Sequence, residues 1–356
     1  MARGRAGLTV HFGGPDRPPG ALRDLLQARV DAVPAGGWIH FATYYLRDSG
    51  LVRALIRARE RGVRVRVTLE GRPRLASANQ AAVGQLSNEG GFGSDLRVLF
   101  HTPIPLGRGR WAQPHLHSKI YVFSHPVPLA LIGSFNPSGG GVDGPDDPEV
   151  LRQIGDQDRG HNFLVETRDE PLVAGLATHS DWLHGSAHGL LERLSPRANQ
   201  RLRSGGLEVW FHPRHDTTRW MRELRRLGPG CRVRGAVSHL NEGAVVRRLA
   251  RLARRGVQVE LIVHASLRRV PSRPANALLA AGVALRRYAH RESLPMHDKF
   301  LLIQSPQRRT LLFGSFNLTA HSRWLNHEVI AETGDPGLIE AFECRFEELA
   351  ADPALR

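Results

Sequence analysis

Between Leu51 and Gly71 the chain changes rhythm. Apolar positions in "LVRALIRARERGVRVRVTLEG" recur at helical spacing as far as Gly62, and from Val63 onward they alternate with arginines, the period of a half-buried strand. Glycine at the change of period is a helix stop. The same sentence is written again from Val245 to Ala265, "VVRRLARLARRGVQVELIVHA", with Gly256 at the same place. Other segments also occur twice and in the same order. "GLTVHF" (Gly7 to Phe12) returns as "GLEVWF" (Gly206 to Phe211), each before a proline-containing turn and a helix-like segment, and "LIGSFN" (Leu131 to Asn136) returns as "LFGSFN" (Leu312 to Asn317). Repeats on this scale predict a tandem duplication. Strands alternating with helices make each copy an α/β layered unit. The expected halves are residues 1–190 and 206–356, joined by a connector at 191–205.

Copy one is longer, through its Arg72 to Pro114 stretch and through an acidic, glycine-rich insert from Ser138 to Asp158. An insert of that composition predicts a surface loop, or a lid if it borders a site.

With 41% hydrophobic residues the chain can bury a full core, and nothing in it approaches the apolar run of a membrane span. The N-terminal "MARGRAGLTVHFGG" lacks the apolar stretch of a signal peptide, so a cytoplasmic protein is expected. Two cysteines, Cys231 and Cys344, exclude a disulfide framework or a cysteine-rich zinc site. The formal charge of +15, concentrated in the second half, points to an anionic partner: nucleic acid, a phospholipid headgroup or a phosphate ester.

Among 49 lysines and arginines only two are lysine, Lys119 in "HLHSK" and Lys299 in "MHDK", each two residues after a histidine. In a strand, residues i and i+2 share a face, so His117 projects with Lys119 and His297 with Lys299, as Ser134 does with Asn136 and Ser315 with Asn317. A hairpin through "VFSHPVPLAL" would set His117 opposite Asn136 and Lys119 opposite Ser134, with the same pairing in copy two, unless a bulge moves the register. Imidazole can attack phosphorus or carry a proton, a compact ammonium suits a non-bridging oxygen, and Asn and Ser donate hydrogen bonds; together these groups suit a phosphodiester. His115 beside His117 raises a chelating H-x-H, but copy two has Pro295 there and no further ligands complete a shell, so no metal and no cofactor are expected.

"HSK…GSFN" and "HDK…GSFN" resemble the paired signature of the phospholipase D superfamily, H-x-K-x4-D followed by G-S-x-N, and the resemblance spans the chain through its duplication. "GSFNLTAHSRWLNHEVIAET" is most similar to the small bacterial endonucleases of that superfamily and to its cardiolipin hydrolase members. The resemblance implies mixed-sheet sandwich halves packed about a pseudo-twofold axis, with one active site formed within a single chain. It also implies metal-independent phosphodiester hydrolysis through a phosphohistidine. On that pattern His117 is the nucleophile and His297 the general acid, while Lys119, Lys299, Asn136 and Asn317 hold phosphate oxygens, supported by Ser134 and Ser315. The motif aspartate is missing in both copies, replaced by Ser124 and Gln304. In endonuclease-like members a glutamate orients the histidine, and Glu328 matches it; Asn162 is the aligned candidate in copy one. Tyrosyl-DNA phosphodiesterases likewise lack the aspartate. Phospholipid and DNA or RNA stand level as substrates. A noncatalytic anion-binding module and a phosphatidyl transferase are the alternatives.

Overall fold

A computed structural model describes residues 7–139, 153–186, 188–189, 192, 195, 198, 200–214, 219–241 and 243–356. The middle of the acidic insert and much of the expected connector lie outside these residues.

Each half is a mixed sheet. The first contains β1 (Thr9–Gly13), β2 (Trp38–Thr43), β3 (Arg64–Glu70), β4 (Leu96–Leu99), β7 (Ile120–Phe123), β8 (Leu129–Gly133) and β9 (Asn162–Thr167), in the order β1-β9-β8-β7-β2-β3-β4. A short hairpin, β5 (Ile104–Gly107) and β6 (Arg110–Ala112), stands apart from it. The second sheet contains β10 (Arg201–Ser204), β11 (Leu207–His212), β12 (Arg232–Val237), β13 (Gln258–His264), β14 (Ala284–Tyr288), β15 (Lys299–Gln304), β16 (Arg309–Gly314) and β17 (Glu328–Thr333). Its order, β10-β11-β17-β16-β15-β12-β13-β14, repeats the first with one added edge strand. In both sheets three strands run parallel (β2, β3, β4; β12, β13, β14) and the rest antiparallel. The duplication read from the sequence is therefore a duplication of fold.

Helices α1 (Ala21–Asp31) and α2 (Ser49–Glu60) cover the outer face of the first sheet, with Leu26, Val30, Leu51 and Leu55 buried against Ile39, Val65 and Val67. Helices α4 (Arg219–Arg226), α5 (Gly243–Arg254) and α6 (Ser272–Leu279) do the same for the second sheet through Leu224, Leu249 and Leu278. As expected, α2 and α5 end ahead of Gly62 and Gly256, both at positive φ, and the chain enters β3 and β13. Between the sheets lie α3 (Glu170–Gly185) and α7 (Pro336–Ala351), each started by an aspartate, Asp169 or Asp335, whose carboxylate accepts the backbone N–H of the third helical residue. One core joins the halves: Phe342 of α7 packs edge-on to Phe12, Phe163 and Phe300 with ring centroids 5.0–5.2 Å apart. Strands β7, β8 and β9 are buried at every position because helices cover one face and the other half covers the second.

The hairpin register differs by one residue from the expectation. Phe123 faces Leu129 and Ile120 faces Ile132; in copy two Gln304 faces Arg309 and Phe300 faces Phe313. The turns set this. In copy two Ser305 and Arg308 exchange backbone hydrogen bonds around Pro306 and Gln307, which pins the ladder. Continued by one residue, this register sets Lys119 opposite Gly133 and Lys299 opposite Gly314, not opposite the serines. The serines join the site another way: Ser134 N–H donates to Phe163 O and Ser315 N–H to Val329 O, so each G-S-F-N segment leans onto its neighbouring strand. Only glycine permits that approach. A Cβ on Gly133 would lie 2.2 Å from Phe163 O, and one on Gly314 2.2 Å from Val329 O.

Candidate active site

The two halves grip each other through matched backbone bridges beside the two His-x-Lys segments. Leu116 pairs with His327 and His161 with Met296, both in parallel sense. The backbone N–H of His117 donates to His327 O (2.8 Å) and that of His297 to His161 O (2.9 Å). These bridges deliver to each histidine a side chain from the opposite half. His117 Nδ1 is 2.8 Å from Glu328 Oε2, and His297 Nδ1 is 2.8 Å from Asn162 Oδ1. Glu328 and Asn162 begin β17 and β9, so they are equivalent by topology, one an anionic carboxylate and the other a neutral amide.

The serines hold these partners. Ser315 Oγ donates to Glu328 Oε2 (2.5 Å) and accepts from Val329 N–H (3.0 Å); Ser134 Oγ donates to Asn162 Oδ1 (3.2 Å) and accepts from Phe163 N–H (3.1 Å). Expected among groups that support phosphate binding, both hydroxyls are committed instead to the residues that orient the histidines. Asn162 Nδ2 donates to Gln157 O and Oε1, each at 3.2 Å. With its amide N–H groups so engaged, Asn162 presents its carbonyl oxygen to His297, which fixes Nδ1 as the protonated nitrogen.

Each lysine spends one N–H on the carbonyl of its own histidine, Lys119 Nζ to His117 O at 2.6 Å and Lys299 Nζ to His297 O at 2.8 Å, which leaves two N–H groups on each ammonium. Asn136 Oδ1 accepts from Thr43 Oγ1 (3.3 Å), with no protein acceptor for its NH2 group among the described residues. Asn317 is also buried. Neither histidine Nε2 has a protein partner among the described residues, and His117 keeps 13% of its side chain open to solvent. The ring of Tyr44 closes one wall, its centroid 5.5 Å from that of His117 and 5.7 Å from Lys119 Nζ.

This pocket holds its cations at a cost. Burial lowers His117 to about 4, reinforced by Lys119 and opposed by Glu328, and burial lowers Lys119 to about 7 against the pull of the same carboxylate. Burial, then the charges of Lys299 and Arg269, hold His297 well below the ordinary imidazole range; burial, then Lys119 and Arg269, hold Lys299 well below the ordinary lysine range. Burial works against the charge on Glu328 too, but His117, Lys119 and the Ser315 hydroxyl together keep it below the usual carboxylate range. Among the described residues Glu328 is the one carboxylate hydrogen-bonded to these two lysines and two histidines, with Asp298 acting on Lys299 without a bond to it, which is too little counter-charge. An anion placed among them would restore the protons that burial removes, so the cavity is electrostatically suited to a phosphate.

Ser124 and Gln304, at the positions of the motif aspartate, lie away from the histidines: Ser124 Oγ accepts from Trp38 N–H (2.8 Å), and Gln304 ends β15, exposed. His115 Nδ1 is 3.4 Å from Glu70 Oε1 and its ring packs edge-on to Tyr44. Sequence reasoning missed Tyr44, Ser238, His239, Arg74, Arg268 and Arg269, all of which crowd this end of the sheets. Arg74 and Arg268 follow β3 and β13 at matching distance, so carrying the alignment of the copies three residues past Gly71 and Ala265 pairs them.

A family model described as a cardiolipin synthase, phospholipase D-like domain matches twice, over residues 35–152 and 231–350. The chain is 31% identical over 110 residues to the mitochondrial cardiolipin hydrolase of Danio rerio, an alignment covering 30% of this chain and 47% of that protein. The chain therefore spans less than half the length of that relative. Among solved structures, phosphatidylserine synthase from Haemophilus influenzae superimposes with a TM-score of 0.67 at 14% identity, covering 100% of this chain and 88% of that one. Polyphosphate kinase from Porphyromonas gingivalis gives 0.65 at 16% identity, covering 99% of this chain and 48% of that one. At such identities these two comparisons speak to the fold, which is shared along the full length of the chain.

Proposed function

The chain belongs to the phospholipase D superfamily, and from that premise we propose that it cleaves phosphodiester bonds of phospholipids by two-step covalent catalysis, with residues 1–190 and 206–356, joined by 191–205, each contributing half of the site. The observation that carries this reading is the crossed pairing of histidines: each imidazole is held at Nδ1 by a side chain of the opposite half, with Nε2 left for chemistry. In the first step His117 Nε2 attacks phosphorus. The bond to the leaving alkoxide breaks as His297 gives that oxygen its proton. In the second step His297 takes a proton from water, the hydroxide displaces His117 from phosphorus, and the P–N bond breaks; an alcohol in place of water would make the same residues a transferase. Lys119, Lys299, Asn136 and Asn317 bind the non-bridging oxygens, while Ser134 and Ser315 act through Asn162 and Glu328.

The assignment of roles follows from charge. Phosphorylated His117 is a cation, and Glu328 stabilises it; His297 must lose and regain its proton each cycle, which a neutral amide partner leaves easier than a carboxylate. A lipid substrate is favoured by the rim. Phe100, Trp111 and Leu267 are 61%, 65% and 61% exposed on segments that flank the site, and the guanidinium of Arg72 lies 5.9 Å from the Phe100 ring. An exposed apolar ring beside a cation suits a headgroup layer. The relative named for cardiolipin hydrolysis and the family model's description point the same way. Nucleic acid is the competing substrate, for which the charge of +15 speaks.

The experiment is release of product from anionic liposomes and from DNA and RNA oligonucleotides, with a chelator present, for the wild type and His117→Ala, repeated with added glycerol. Lipid cleavage that the variant loses supports the proposal, and an exchanged glycerol headgroup identifies the transferase. Oligonucleotide cleavage alone replaces the substrate. Anion binding without turnover of either leaves a noncatalytic module.

A further inference from the structure

Beside the His/Lys pairs stands a second group of cations that the chemistry above does not use. Arg74 follows β3 and Arg268 and Arg269 follow β13, so the three come from equivalent places in the two halves. Arg74 Nη1 donates to Gln153 O at 3.2 Å, and Arg269 Nη2 reaches the next carbonyl, Ile154 O, at 3.5 Å. Arg269 Nη1 donates to Ser238 Oγ at 3.2 Å. Arg269 is only 6% exposed. Among the described residues no carboxylate forms an ion pair or hydrogen bond with Arg74, Arg268 or Arg269. A buried guanidinium without a carboxylate is strongly disfavoured unless an anion joins it.

The cluster adjoins the catalytic residues on both sides. Ser238, which accepts from Arg269, donates its own backbone N–H to Asp298 O at 3.0 Å, between His297 and Lys299. On the other side the backbone N–H of Arg74 donates to the hydroxyl of Tyr44 at 2.7 Å, and the Tyr44 ring lines the His117 half-site. The guanidiniums also feel one another: burial, then Arg268 and Arg74, lower Arg269 to about 9, and burial, then Arg74, lower Arg268. The neighbouring His239 is held well below the ordinary imidazole range by burial and then by Arg269 and Lys299, so it adds no competing proton store near neutrality. Each guanidinium has five N–H donors in a planar fork, and the carbonyls and Ser238 occupy few of them.

We propose that Arg74, Arg268 and Arg269 form an anion subsite for a second phosphate of the substrate, beside the scissile one, so that the preferred substrates are phosphodiesters carrying two phosphate groups. The word substrate rests on the function proposed above; the anion site itself does not. The planar fork of a guanidinium can meet phosphate oxygens two at a time. Cations from both halves would gather on the one ligand, which makes the subsite, like the active site, a product of the duplication.

The test is calorimetric binding of inorganic phosphate, pyrophosphate and propane-1,3-diol bisphosphate to the full chain near neutral pH with chelator present, which needs no turnover. The expected result is that a two-phosphate ligand binds about tenfold or more tighter than phosphate. Arg74→Gln and Arg268→Gln, both at exposed positions that spare the fold, should each shrink that ratio by about fivefold or more. Arg255→Gln, which removes the same charge at the far end of β13, should leave the ratio as it is. Two-phosphate ligands that bind no tighter than phosphate, or a ratio that responds equally to all three variants, would overturn the subsite. Turnover then identifies the source of the second phosphate. Preference for a two-phosphate lipid over its one-phosphate analogue assigns it to a headgroup, preference for a terminally phosphorylated dinucleotide over the bare one assigns it to a nucleotide, and equal rates within both pairs reject the substrate assignment. A tight two-phosphate complex in a chain that cleaves nothing would keep the site and remove the function.

Discussion

Replacing Glu328 by glutamine keeps the volume and an acceptor for His117 Nδ1 but removes the carboxylate whose oxygen lies 2.8 Å away. The loss is therefore a loss of charge. Opposite unit charges about 4 Å apart at an effective dielectric of about 20 attract by about 4 kcal/mol, and spreading both charges over their groups brings this to about 3. At about 1.4 kcal/mol per decade, kcat should fall by roughly 10²- to 10³-fold, because the charge that Glu328 meets forms on His117 during the reaction. The assay is the initial rate on bis(p-nitrophenyl) phosphate at saturating substrate, with circular dichroism to confirm that the variant folds. Ser315 and Asn326 can still hydrogen-bond the amide, so the melting temperature should move little. A folded Glu328→Gln protein whose kcat stays within about threefold of wild type would refute the reasoning, since the interaction would then be worth under about 1 kcal/mol in the transition state.

Lys119, lowered to about 7 by burial, is charged in the unfolded chain up to its ordinary value of 10.5 and largely neutral in the empty folded pocket above 7. Its cost to stability is therefore fully present below pH 7 and fades as pH rises from 7 to 10.5, so Lys119→Met should raise the melting temperature most at the acid end of that window; a pH-independent difference would show that burial does not tax this charge. Gly133→Ala puts a methyl against Phe163 O, and the strand must shift to accept it. Thermal unfolding should show a loss of about 2–4 kcal/mol, and an unchanged melting temperature would mean that the close approach of β8 to β9 is not required.

The parts of this fold legible in the sequence were those written in local chemistry. Gly62 and Gly256 announced the helix ends, and alternation after them announced β3 and β13, because a strand's period needs only its own residues. The hairpin register was not legible, since it depends on how the turn around Pro306 closes and on the departure of the chain after Gly133 and Gly314, where tertiary contact overrides strand spacing. Glu328 and Asn162 stood out as orienting candidates, but their crossed service was hidden: the partners of His117 and His297 are 211 and 135 residues away and belong to the opposite half. The serines offered the same hydroxyl to two roles, and only their position under Glu328 and Asn162 separates them. The arginine cluster escaped for lack of contrast. Where lysine is rare and arginine everywhere, Lys119 and Lys299 are conspicuous, whereas Arg74, Arg268 and Arg269 gain their meaning from the place where the fold gathers them, from the burial of Arg269 and from the lack of a carboxylate partner among the described residues.

The central claim is that His117 carries the phosphoryl group. It is tested most directly by acid-free quenching and peptide mass spectrometry of the His297→Ala protein after brief exposure to bis(p-nitrophenyl) phosphate. Without its proton carrier for the second step, the variant should accumulate a base-stable, acid-labile phosphoryl adduct on the peptide containing His117, and His117→Ala should show none. An adduct on His297 of the His117→Ala protein, with none on His117, would reverse the roles; turnover by the wild type with no adduct in either variant would contradict covalent catalysis.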